Sequence, residues 1–380
     1  MELNDGLSRI LKLHLNWNKS RLDCFVEMLL ALFRVRHFNL ALLANAMISD
    51  ATLESRYRRL QRFFSEVHIN YDAVAYLIVS MFNFLENSFY LTLDRTNWKF
   101  GKKNINILTL AIVYRGAAIP VYWLILNKRG NSNQHERIAL MKRFIQQFKR
   151  EKILGILADR EFIGQNWLAW LSAKNIPYWI RIKKNMNMIT KKGNCVHVRK
   201  LFDNLSIGKS RILKSTRILG KQSIWLSGMK LENNELLIII SNQNSDNPFD
   251  IYGLRWEIET LFQSLKGRGF HMEDTRLVKY FRIKKFFMFL TIAFCWSLKT
   301  GEWKHKWIKP LKIKKHGRLE KSLFRYGLDY IGETLYSNKQ SNLKITLRLL
   351  FLFLCPPTWI ANDGSGIQEN TNNSYYDSVT

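Results

Sequence analysis

Residues 252–266 read YGLRWEIETLFQSLK. At 3.6 residues per turn, Leu254, Ile258, Leu261 and Leu265 make one apolar stripe, while Tyr252, Arg255, Glu259, Gln263 and Lys266 fall within a separate arc of about 80°. The spacing predicts one amphipathic helix, with Pro248 as the stop signal before it and Asp250 as its cap. Its apolar side docks on a core and its other side presents a carboxylate among donors. A solvated Arg255–Glu259 pair at i,i+4 has the same pattern without any function. The choice between the two depends on what the rest of the chain brings to Glu259.

Two apolar runs end in an aspartate. FYLTLD closes at Asp94 and ILGILAD closes at Asp159, so each predicted strand delivers a carboxylate at its C-terminal edge, where open sheets place their sites. One such aspartate reads most simply as a turn or cap residue. Two of them facing a helix glutamate make a three-carboxylate site of Asp94, Asp159 and Glu259. Three acids a few ångströms apart repel unless cations hold them, and hard oxygen ligands select Mg²⁺, with Mn²⁺ able to substitute. Two such ions suit phosphodiester chemistry, one activating a water or a 3′-hydroxyl and the other stabilising the leaving oxygen.

Around these runs the periodicity changes along the chain. Residues 1–80 read as helices, with a break near Ser49 to Thr52 that resembles a helix-turn-helix unit. Arg56, Arg58, Arg59 and Arg62 on its second helix suit DNA phosphates, and a solvated basic face is the competing reading. Residues 85–184 follow the order β-β-β-α-β-α-β, with Gly116 marking the turn between the second and third strands, which predicts a mixed sheet covered by helices. Residues 185–247 read as short strands separated by Gly and Asn turns, a β-rich insertion. Residues 248–335 read as helices, and 336–380 as a C-terminal segment with a polar, disordered tail. The loop RGNSNQHER places Asn131, Asn133 and Arg137 either near DNA or as caps for the next helix. Arg95 and Arg160 either touch phosphate or pair with neighbouring acids. Arg282, Lys284 and Lys285 line a groove or form a solvated face.

Charge agrees with a polyanionic partner. Lys and Arg number 59 against 30 Asp and Glu, a net charge of +29, far beyond what solubility asks. Twelve Trp and a 13% aromatic share suit phosphate contact with base stacking better than a membrane surface. The apolar runs near residues 286–298 and 349–355 fall short of the roughly 20 residues of a spanning helix, and no signal peptide is expected at the start. The four cysteines, Cys24, Cys195, Cys295 and Cys355, lie too far apart for a zinc motif and fit a reducing compartment.

Tyr252, Arg255, Glu259 and Lys266, separated by two, three and six residues, resemble the Y-R-E-K signature of bacterial insertion-sequence transposases of the DDE type. LDRTNWKFG around Asp94, ADREFIG around Asp159 and KSLFRYGLDYI at residues 321–331 are similar to further segments of that family. The resemblance spans about residues 35–335. It implies an RNase H-like catalytic core behind an N-terminal helical DNA-binding domain, with Asp94, Asp159 and Glu259 as the metal-binding triad. It also implies that Tyr252, Arg255 and Lys266 hold DNA phosphates near the scissile bond. Its members bind double-stranded transposon ends and target DNA as a homodimer, nick, form and reopen a hairpin, and join the 3′ ends to target DNA; the expected location is the bacterial cytoplasm, at the nucleoid. An aromatic residue of the insertion stacks on a flipped base in hairpin-forming relatives. Trp225 is the candidate, with a core tryptophan as the competing reading. Two other functions stay open at this stage: a non-catalytic DNA-binding protein or repressor derived from a transposase, and a nuclease or resolvase without strand transfer.

Overall fold

The computed structural model describes residues 2–190, 193–315 and 317–336; the expected C-terminal tail lies outside them. Five helices come first: α1 (Glu2–His14), α2 (Lys19–Val35), α3 (Leu40–Ala46), α4 (Leu53–Glu66) and α5 (Tyr71–Met81). Short polar side chains start four of them. Asn18, Asn39, Thr52 and Asn70 each accept from a backbone N–H of the helix that follows, covering donors a helix start leaves unpaired. The break between α3 and α4 falls at the expected Ser49 to Thr52.

The sheet begins with β1 (Phe89–Phe100), β2 (Lys103–Tyr114) and β3 (Ala117–Ile125), and continues after α6 (Gln134–Gln147) with β4 (Ile153–Ala158), α7 (Gln165–Ala173) and β5 (Tyr178–Arg181). This is the β-β-β-α-β-α-β order expected from the sequence. Short strands follow: β6 (Asn187–Ile189), β7 (Cys195–His197), β8 (Ser210–Ile212), β9 (Arg217–Leu219), β10 (Gln222–Lys230) and β11 (Leu236–Ser241). They are not a separate layer. The strand order β3-β2-β1-β4-β5-β11-β10-β9-β6-β7 makes one mixed sheet of 11 strands, with β8 paired to β10. β1, β4 and β5 run parallel, and the other pairs are antiparallel.

Helices cover both faces of this sheet. On β3, Tyr122 meets Phe144 of α6, and its neighbour Trp123 meets Phe287 of α10 (Tyr280–Trp307). Successive strand residues point to opposite faces, so α6 and α10 lie on opposite sides. α10 is the centre of the helical half: Phe289 packs on Phe25, Trp296 on Phe33, and Gly301 and Ser297 against α11 (Leu323–Tyr336). Its apolar run 286–298 is wholly buried. Among the described residues no helix is long and apolar enough to cross a membrane.

Two local expectations are corrected. Asp94 does not close its strand, because β1 continues to Phe100 as a hairpin arm in which Asp94 pairs with Thr109. The alternation of buried Thr96 and Trp98 with exposed Asn97 and Lys99 is the period-two pattern that carries the strand on. Residues 252–266 are not one helix either. α8 (Pro248–Gly253) passes through a 3-10 turn, Leu254–Trp256, into α9 (Glu257–Leu265), and Lys266 follows its end. Asn247 rather than Asp250 occupies the cap position, with Pro248 as the first helical residue, where its missing N–H costs nothing. The tighter turn shifts the faces: Tyr252 and Arg255 are buried, and Leu254 is only partly so.

Candidate active site

Register puts the acids side by side. Leu93 of β1 pairs with Ala158 of β4, and Asp94 and Asp159 are the next residues of the two parallel strands. Thr92, Leu157, Trp179, Ser241 and Trp225 form one row across β1, β4, β5, β11 and β10. Asp94 and Asp159 stand two residues beyond Thr92 and Leu157, so with the extended backbone of Asp159 they face the same side of the sheet as Trp179 and Trp225. Tyr252 packs on that side, against Leu157, Trp179 and Ile239.

The two aspartates share a local geometry. Asp94 Oδ1 accepts from the N–H of Arg95 and Asp159 Oδ1 from the N–H of Arg160, each at 2.7 Å. α9 lies across β3, β2 and β1 and brings Glu259 to them through a cation. Arg255 Nη2 donates to Glu259 Oε1 at 2.6 Å, while its Nη1 stands 3.6 Å from Asp94 Oδ2. Arg255 is 4% exposed, and its guanidinium lies over the rings of Tyr252 and Trp256.

Burial pushes the Asp94 carboxyl up to about 6; the Arg95 N–H and Arg255 oppose this, and Glu161 and Asp159 add to it. Burial also lifts the Tyr252 hydroxyl to about 12, against Arg255 and with Asp159. A carboxylate this reluctant to ionise beside other acids is typical of functional clusters.

Three hard oxygen donors fit a divalent magnesium-type ion. Their oxygens are not gathered within 4.8 Å of one another; among the described residues the group that is so gathered is His37, His271 and Asp274. The guanidinium of Arg255 supplies positive charge between Asp94 and Glu259. Arg255 Nε and Tyr252 Oη are buried without partners, which a phosphate or ordered water at this point would satisfy. The donor set therefore fits the ion, and the chain holds its own cation among the acids.

The remaining candidates divide. Lys266 pairs with Glu273 at 2.7 Å, on the turn after α9. Trp225 is half-buried on β10 and lines a small recess with Trp179, Ile239 and Pro248. In the loop before α6, Asn133 caps the helix in a capping box with Glu136. Arg137 is buried and donates to the carbonyl oxygens of Ser132 and Glu161 at 2.6 and 2.9 Å, tying the segment after Asp159 in place. Arg95 grips both oxygens of Glu161 at 2.6 and 2.7 Å and also reaches Asn131; Arg160 is exposed. Arg282 donates to Ser65 Oγ at 2.6 Å, Lys285 is buried, and Lys284 lies over the Tyr71 ring, so this run docks α10 on the N-terminal helices.

Glu257 escaped the sequence reading. It accepts from the N–H groups of Tyr114 and Gly116 at 2.5 and 2.8 Å, which close the β2–β3 turn. Arg115 and Gly116 both have positive φ there, the two-residue hairpin geometry that glycine favours. Burial raises the Glu257 carboxyl to about 7, against those two donors. It fixes the start of α9, two residues before Glu259, to the sheet.

Residues 86–296, more than half of the chain, match the transposase DDE domain family. The chain belongs to that family. No curated protein matches this DDE-family chain in sequence. A cryo-EM structure of the piggyBac transposase synaptic complex with hairpin DNA is similar to it at 11% identity and a TM-score of 0.43, covering 100% of this chain and 85% of that one; a likeness this distant decides nothing about the site. Family membership makes the chain a DNA transposase by class, and the acids above are its candidate machinery.

Proposed function

We propose that this protein is an insertion-sequence transposase of the bacterial Y-R-E-K group, which cuts the ends of its element and joins them to target DNA. The observation that carries the reading is the convergence of Asp94 and Asp159, at the ends of two paired parallel strand segments, with Glu259 through Arg255. The strand order β3-β2-β1-β4-β5, three antiparallel strands followed by two parallel ones, supports an RNase H-like core.

In this account, Asp94, Asp159 and Glu259 hold Mg²⁺ or Mn²⁺, two ions when the site is full. Bound there, the ions supply the activated water or 3′-hydroxyl and stabilise the leaving oxygen. The chain's own residues do the rest. Arg255 neutralises Asp94 and Glu259 in the metal-free protein and turns its donors to a phosphate when cations take that role. The Tyr252 hydroxyl, kept protonated by burial, donates to the same backbone. Lys266 reaches the phosphate beyond once it leaves Glu273. Trp225, on the same sheet face as the aspartates, offers a π surface to an unstacked base of a hairpin intermediate.

Domain roles follow this reading. Residues 1–80 bind the element's ends, 85–184 and 248–335 form the catalytic core, 185–247 form the insertion, and 336–380 are a C-terminal segment with no assigned role. Arg58, Arg62 and Arg282 surround a groove of about 740 Å³, which supports double-stranded DNA as the partner. Two ends must be brought together, so the active form is a homodimer on DNA, acting at the bacterial nucleoid.

The test supplies a labelled element-end duplex, a target plasmid and Mg²⁺. Nicked, hairpin and plasmid-joined products are expected. Cutting without joining would leave a nuclease, and binding without cutting, in Mn²⁺ as well, would leave a DNA-binding repressor.

A further inference from the structure

Away from the carboxylates, His37, His271 and Asp274 present Nε2, Nδ1 and one carboxylate oxygen within 4.8 Å of one another. His37 Nε2 stands 3.1 Å and His271 Nδ1 3.6 Å from the same atom, Asp274 Oδ2. Two ligands each about 2.1 Å from a tetrahedral zinc ion are separated by roughly 3.4 Å, and the two observed edges bracket that value. The two imidazole centroids are 5.2 Å apart with an angle of 11° between the ring planes.

The chain holds this group in place from two directions. His37 lies in the link between α2 and α3, and His271 and Asp274 bound the turn after α9. The N–H of Phe38 donates to the carbonyl of Phe270 at 2.9 Å, joining the two segments beside the cluster, and both phenylalanines are fully buried. His271 has a φ of 51°, a conformation few residues other than glycine, asparagine and histidine adopt readily. His37 Nδ1 is buried without a partner, so Nε2 is the working nitrogen of that ring.

Charge makes the arrangement unusual. In a chain with 59 basic side chains against 30 acidic ones, Asp274 is paired with two imidazoles and with no lysine or arginine among the described ion pairs. The Asp274 and His271 side chains are 56% and 46% exposed, so an ion can enter and retain water.

We propose that His37, His271 and Asp274 form a site for a borderline divalent cation of the zinc type, completed by water. Two nitrogens and one oxygen suit zinc better than magnesium. The ion clips the link between the first helices to the turn that follows α9, and it stands independently of the carboxylate chemistry.

Full-length protein is stripped of metal and titrated with Co²⁺, then Zn²⁺, with excess Mg²⁺ present to occupy the carboxylates. The expected result is a single Co²⁺ per chain with the visible bands of four-coordinate cobalt, displaced by Zn²⁺, and a rise in melting temperature with Zn²⁺. His37→Ala, His271→Asn and Asp274→Asn should each weaken binding at least tenfold. Asparagine tolerates the positive φ at 271, so that variant keeps the fold, checked by circular dichroism. No binding by the wild type, or binding that these variants leave unchanged, would overturn the proposal.

Discussion

Arg255 Nη2 lies 2.6 Å from Glu259 Oε1, and the same guanidinium reaches Asp94. An arginine so placed competes with a metal for the acids it neutralises. Removing it leaves more negative charge for an incoming cation. Arg255→Ala is therefore expected to bind Mn²⁺ several-fold more tightly, measured by calorimetry, while cutting element-end DNA at least 100-fold more slowly, since its phosphate contact is gone. Weaker Mn²⁺ binding by the variant would show that the guanidinium does not stand in for the ion.

The Asp94 carboxyl, raised by burial to about 6 from the ordinary value of about 4, sets a pH window. Between those values the folded protein binds more protons than the unfolded chain, so stability falls as pH rises through the window and levels off above it. Metal affinity moves the other way, because the ligand is the carboxylate. Mn²⁺ binding should strengthen from pH 5 to pH 7, and Asp94→Asn should flatten this rise. The same variant should raise metal-free stability at pH 8 by on the order of 1 kcal/mol, read by urea unfolding.

Glu257 anchors α9 through Tyr114 and Gly116. Glu257→Ala strands two backbone donors and opens a gap, a loss of about 2–4 kcal/mol. Glu257→Gln keeps only one of the two acceptors while removing the buried charge, so it should fall between the wild type and Glu257→Ala at pH 8. Thermal unfolding of both variants distinguishes an anchor from a surface acid, for which the two would behave alike.

Helices α10 and α11 cross at glycines. A Cβ on Gly327 would stand 1.8 Å from the carbonyl oxygen of Ser297, a backbone atom that cannot swing away. Gly327→Ala should cost about 3 kcal/mol or more by urea unfolding, whereas Gly317→Ala, at a loop position with φ of 76° and open space, should cost about 1 kcal/mol.

Much of the sheet was legible because its signals are local. Apolar, β-rich runs marked the strands, Gly116 marked the hairpin, and the runs before Asp94 and Asp159 drew attention to the two acids, which the register then placed on neighbouring strands. The helix of residues 252–266 was legible in outline only. A 3-10 turn at Leu254–Trp256 changes the angular period, so Tyr252 and Arg255 are buried while Leu254, on the expected apolar stripe, is only partly so, and Arg255 still reaches Glu259. Glu257 lay beyond reach for another reason: its partners are 143 and 141 residues away, and no spacing rule encodes a carboxylate that closes a distant hairpin. The polar loop before α6 offered two readings, and capping by Asn133 with burial of Arg137 is what the fold uses.

The central claim is that Asp94, Asp159 and Glu259 act as one metal-dependent site. Its most direct measurement is the nicking rate of a labelled element-end duplex in Mg²⁺, for wild type and Glu259→Gln, with DNA affinity measured in parallel. Equal affinity with nicking at least 1,000-fold slower in the variant is the expected result. Nicking at the wild-type rate by Glu259→Gln would contradict the account and return Glu259 to the role of a surface partner for Arg255.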